Sequence, residues 1–228
     1  MRYFCFALIL LFAASFSNCE GYVPRMTKEE AIEAALADGQ KYFVGEFNEW
    51  QTWEVRTAEF QVVELVTLFE KEHDSTMYIW HVEIGKEDGS RSVHFVVKDR
   101  NREVVGGWNS IDTVVDYKEQ PREKYQFSAE EVIIRAILYE DANRNNRTQW
   151  RHLYVYLDNF GTWDSAHLSS QYRIPYERIK LKVPLGQQAW RIRFCMHEGE
   201  HDMFDMDIEI IVGALNGKVY GYWVLNSM

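Results

Sequence analysis

Two stretches of the chain carry the same helical pattern. Thr27-Lys28-Glu29-Glu30 is followed by Ala31, Ile32, Ala35 and Leu36 along one helix face, and Ser128-Ala129-Glu130-Glu131 by Val132, Ile133, Ala136 and Ile137 in the same phase. Each opening is a capping box: the hydroxyl accepts from the third helical N–H while the glutamate reaches back to the cap residue's N–H. Downstream the period changes from helical to two. Tyr78, Trp80, Val82 and Ile84 alternate with Ile79, His81 and Glu83, and Trp190, Ile192, Phe194 and Met196 alternate with Arg191, Arg193, Cys195 and His197. Such alternation predicts strands with one apolar face. Val93, Phe95 and Val97 in the first run, and Ile208, Ile210 and Val212 in the second, add a further strand each. Asn101, Val104, Gly106 and Trp108 then match Asn216, Val219, Gly221 and Trp223 without a gap.

The expectation is an α+β fold of two tandem repeats, each a helix packed on an antiparallel β-meander. Residues 1–19 are expected to be a signal peptide, 20–110 the first module, 111–127 a linker and 128–228 the second module. The middle segments, Gly45 to Asp74 and Glu140 to Gln188, differ in length. Phe60 to Leu68 and His152 to Leu157 are β-rich within them and predict an added strand in each copy.

Composition changes this picture in three ways. Arg2, the apolar run Phe4 to Phe12 and the small residues Ala13, Ala14, Ser15 and Ser17 have the layout of a secretory leader, with cleavage expected after Ser17 or Cys19. The mature protein is then secreted or periplasmic. A lipid anchor on Cys19 is the rival outcome, opposed by Asn18 at a position that favours Gly, Ala or Ser. The net charge of -10 becomes one unit more negative once Arg2 leaves, which disfavours nucleic acid and anionic lipid as partners. Only Cys19 and Cys195 could form a disulfide, and only if cleavage precedes Cys19, so stability is expected from packing.

The order of elements resembles PepSY-type domains, small helix-plus-sheet modules of exported bacterial proteins and of secreted metallopeptidase propeptides. The residues that carry the resemblance are Thr27 to Ile32, Trp80 to Ile84, Val93 to Asp99 and Glu103 to Gly106 in the first copy. In the second they are Ser128 to Glu131, Trp190 to Ile192, Ile208 to Ile210 and Asn216 to Val219. The family usually has a glycine in the last turn; Gly217 supplies it, while Arg102 stands there in the first copy. The resemblance implies a non-catalytic binding protein, a peptidase inhibitor or regulator acting by protein–protein contacts, with no catalytic residues and no cofactor to carry over. The layout is also cystatin-like, but Leu65 stands where the inhibitory hairpin around Gln61-Val62-Val63-Glu64 needs a glycine.

Several residues invite other chemistry. His197-Glu198-Gly199-Glu200-His201 satisfies the H-x-x-E-H pattern of inverted zinc peptidases, yet it lies between two period-2 strands with Gly199 at its centre and reads as a hairpin tip. A metal-dependent hydrolase at His197 and His201 is therefore the minor reading. Asp205, Asp207 and Glu209 can face Arg191 and Arg193 as a cross-strand charge ladder. Asp141, Asn143 and Asn145 begin like a calcium loop, but His152 stands where its bidentate glutamate belongs. Asn146-Arg147-Thr148 is a glycosylation sequon, meaningful in a eukaryotic source. Trp50, Trp53, Trp150, Trp163, Tyr154, Tyr156, Tyr172 and Tyr176 concentrate in the middle segments, and a glycan or small-ligand platform built on them is the alternative function.

Overall fold

The computed structural model describes residues 22–42, 53–67, 73–110, 113–116, 127–144, 152–159, 188–196 and 206–226. Helix α1 (Lys28–Tyr42) precedes β1 (Glu54–Thr67), β2 (His73–Gly85), β3 (Ser92–Lys98) and β4 (Val104–Asn109). Strand β5 (Thr113–Asp116) follows, then α2 (Ala129–Arg144), β6 (His152–Asn159), β7 (Gln188–Met196), β8 (Met206–Gly213) and β9 (Val219–Asn226). The fold is mixed α+β: β1 to β4 form one antiparallel meander and β6 to β9 another. Among the described residues one parallel bridge, Thr67 to Val219, joins them into the order β4-β3-β2-β1-β9-β8-β7-β6-β5. Strand β5 lies in the stretch read as linker and pairs in parallel with β6. No helix among the described residues is long and apolar enough to cross a membrane.

Local chemistry explains why the elements begin and turn where they do. Both capping boxes form: Thr27 N–H donates to Glu30 (2.8 Å) and Glu30 N–H to Thr27 Oγ1 (3.3 Å), while Ser128 N–H donates to Glu131 (2.7 Å) and Glu131 N–H to Ser128 Oγ (3.3 Å). The registers match as well, with Trp80 opposite Val97 and Trp190 opposite Val212. Each meander ends in a register shift, between Val96 and Val97 in one and Ile211 and Val212 in the other. In the turns that follow, Arg102 (φ 60°) and Gly217 (φ 62°) both adopt the left-handed conformation.

The two helices are buried differently. Helix α1 sets Ala31 and Ala35 against Trp80, Val82, Ile84, Phe95, Val97 and Val104 on one face of the first sheet. Helix α2 is buried through Val132, Ile133, Ile134, Ala136, Ile137, Leu138 and Tyr139, which cover most of its circumference and leave one stripe, Ser128, Glu131, Arg135 and Ala142, outside the core. One side meets Trp190, Ile192, Ile210, Val212 and Val219 of the second sheet, and the other meets Val63, Leu65, Ile79, Val96, Val105 and Trp108 of the first. The first sheet is therefore covered on both faces, by α1 and by α2. The sequence pattern suggested a polar outer face at Ile79, His81 and Glu83; Ile79 is fully buried and His81 is 3% exposed. At about 1.5–3 kcal/mol for each fully buried aliphatic side chain, α2 stabilises one core that both meanders share.

Candidate functional site

The sequence candidates fall largely beyond the described structure. His197 to His201 lie outside the described residues, in the connection between β7 and β8, and so do Cys19, Asn146 and Asp205. Cys195 sits in β7 opposite His152 and Asp207. Of the proposed charge ladder, Arg193 is opposite Glu209, whereas Arg191 is opposite Ile211 and buried. Asp141 lies on α2 and pairs with Lys98 at 2.5 Å. Among the described residues no group of three or more His, Cys, Asp or Glu side chains is placed to hold a metal. Of the middle-segment aromatics, Trp53 is half-buried with the Lys86 ammonium 5.8 Å from its ring centre. Tyr154 and Tyr156 lie in β6; Trp50, Trp150, Trp163, Tyr172 and Tyr176 are outside the described residues.

Three features emerge that sequence reasoning missed. The first is a polar chain on the α2-facing side of the first sheet. His81 Nδ1 lies 3.2 Å from Glu130 Oε1, His81 Nε2 3.1 Å from His94 Nδ1, and His94 Nε2 2.9 Å from Ser92 Oγ. One tautomer set satisfies all three contacts: Ser92 O–H donates to His94, His94 to His81, and His81 to ionised Glu130. Trp108 lies parallel to both imidazoles, with ring centres 5.4 Å from His81 and 4.5 Å from His94. Burial lowers His81 to a pKa of about 4, and burial together with the neighbouring His81 lowers His94 to about 3. Both are neutral near pH 7. The Ser-His-His-Glu order suggests an activated nucleophile, yet Ser92 and both imidazoles are at most 9% exposed and capped by Trp108, so the chain serves to pin α2. The Lys98–Asp141 pair pins the opposite end of the same helix.

The second feature is Asp99, 1% exposed. It accepts from the Tyr22 hydroxyl (2.7 Å), Arg25 N–H (2.9 Å), Met26 N–H (3.2 Å) and the Trp80 indole (3.0 Å). Burial pushes this carboxyl up, but the four donors, led by Arg25 N–H, outweigh it and hold the group below its ordinary range. Tyr22 also stacks on Tyr78 at 3.6 Å, so the segment leading into α1 is tied to the sheet at both ring and hydroxyl.

The third feature is a strand edge left open among the described residues. Among the described residues β1 pairs from Thr57 to Val66 with β2 alone, and its other edge is met only at the Thr67–Val219 bridge. A bulge between Val55 and Thr57 ends the regular stretch, where Arg56 donates to the Lys86 carbonyl. Ala58, Phe60 and Val62 line the side facing α1; Thr57, Glu59 and Gln61 line the side facing α2, with Thr57 opposite Glu83 and Glu59 opposite His81. Glu59 and Glu83 thus share a face with Glu130. Burial raises the Glu130 pKa, and the nearby charges of Glu83, Glu59 and Glu131 raise it further. No family model, curated protein or solved structure matches the chain at a significant level.

Proposed function

We propose that this is an exported, non-catalytic binding protein of two tandem PepSY-like copies that inhibits or regulates a secreted peptidase through protein–protein contacts. The observation that carries the binding reading is the edge of β1 that no described strand pairs from Thr57 to Val66. A strand with one free edge offers unpaired N–H and C=O groups to an extended segment of a partner, the geometry of strand addition. The Gln61 to Leu65 stretch lies in the middle of this strand rather than at a hairpin tip. The tandem reading draws support from the recurring helix-plus-meander order, the paired capping boxes, the matching bulges and the two left-handed turns. The glycan reading rests on the middle-segment aromatics, of which Trp53 alone has a described side chain, half-buried beside Lys86.

The test titrates the purified chain into secreted peptidases from its own source, with fluorogenic casein as substrate and hydrogen exchange of the β1 amides as a second readout. One-to-one loss of activity with slowed β1 exchange is expected. Inhibition with unchanged β1 exchange moves the contact to another surface, and uninhibited peptidases throughout the fraction rule out the peptidase role.

A further inference from the structure

We infer that the edge of β1 left unpaired among the described residues takes a cationic extended segment with alternating Lys or Arg and apolar residues as an added strand. This rests on the binding reading above and specifies the chemistry of the partner at that edge. The alternation follows from register. A strand laid beside Thr57 to Val66 places every second side chain next to Ala58, Phe60 and Val62, which favours apolar groups. Its other side chains fall on the face of Glu59, Glu83 and Glu130. Among the described residues neither Glu59 nor Glu83 has an ion-pair partner, and the histidine held by Glu130 is neutral near pH 7. Burial, and after it the charges of Glu83, Glu59 and Glu131, raise the Glu130 pKa, and an arriving cation relieves the repulsion among these carboxylates. The same carboxylates repel a second copy of this strand, which argues against self-pairing along the edge. A chain of net charge -10 also steers a cationic segment toward itself at low ionic strength.

The test uses the full chain and fluorescein-labelled peptides of about ten residues, the length of strand that the open edge can pair. They are alternating Lys-Val, alternating Glu-Val, alternating Thr-Val, and Lys-Val with a central proline. Binding is read by anisotropy, and β1 amide exchange is followed in parallel. Saturable binding of Lys-Val is expected, with slowed β1 exchange, at least tenfold weakening by Glu59→Lys and by the central proline, and loss of affinity in salt. Glu83→Gln provides a milder change that keeps the side-chain shape, and a severalfold weakening is expected. Equal affinity for the proline peptide overturns strand addition. Equal affinity for Thr-Val or Glu-Val, with β1 protected, overturns the cationic specificity and leaves edge binding intact. If no peptide slows β1 exchange, the inference fails, while the peptidase titration decides the binding reading independently.

Discussion

At the scale of single residues, Arg102 and Gly217 occupy equivalent left-handed positions with different costs. A side chain in that region is disfavoured by roughly 1–2 kcal/mol. Arg102 recovers part of this through its ion pair with Glu30, an exposed contact worth about 0–1 kcal/mol. Arg102→Gly should therefore stabilise the protein by about 0.5–1 kcal/mol, read as a rise in the urea midpoint; a fall would mean that the ion pair outweighs the strain. Gly217→Ala should destabilise by at least about 1 kcal/mol, from the positive φ and from a methyl placed 2.7 Å from Arg135 Nε and 2.9 Å from Phe127 Cζ. Asp99→Ala should cost at least about 2 kcal/mol, because it orphans the Trp80 indole and two backbone N–H groups. The sequence marked the two turns as equivalent, since the residues around them align. The role of Asp99 was not legible: its donors come from two distant segments, and its counterpart by alignment, Ala214, offers instead its backbone carbonyl, which accepts from Phe127 N–H at 3.3 Å.

At the scale of elements, α2 is the helix that both sheets share. Leu138→Ala should lower stability by about 2–5 kcal/mol, with loss of near-ultraviolet signal in a single transition, because the cavity opens in the core common to both meanders. Two separated transitions would show that the meanders fold independently of the helix between them. Ser128→Ala should cost about 1 kcal/mol, the usual worth of a cap. Gly106 lies against this helix, since a Cβ there would come 2.7 Å from Ile137 Cγ2. The starts of both helices were read correctly from their boxes, a local signal. The burial of α2 on two sides was not, although Ile134, Leu138 and Tyr139 beside Val132, Ile133, Ala136 and Ile137 make a helix apolar over most of its circumference, which is a signal for such burial.

For the whole molecule, the pin between the first sheet and α2 makes stability depend on pH. His81 and His94 are held neutral in the fold, at about 4 and about 3, against an ordinary value near 6.5. Above pH ~6.5 both folded and unfolded forms are neutral and the fold has its full stability. As pH falls below ~6.5 the unfolded chain takes up protons that the fold refuses, so stability declines down to the folded pKa values and then levels off. Urea midpoints should fall steadily from pH ~6.5 to ~4, and His81→Gln with His94→Gln should flatten that slope; a wild-type midpoint constant over this range would show that neither histidine is coupled to folding. The sequence by itself determined what depends on near neighbours: helix starts, strand alternation, the matching turns and the α+β class. It also held a partial sign of two-sided burial, since Val63 and Leu65 on β1 and Val96 on β3 are apolar on the side opposite Trp80 and Phe95. Tertiary structure decided what depends on which surface meets which. It placed α2 on the face that alternation assigned to solvent, assembled the chain from Ser92 to Glu130 across that contact, and joined β1 to the second sheet, among the described residues, at one bridge. Alternation fixes which side chains share a face of a strand, but only the packing of a distant helix decides whether that face ends in water or in a core.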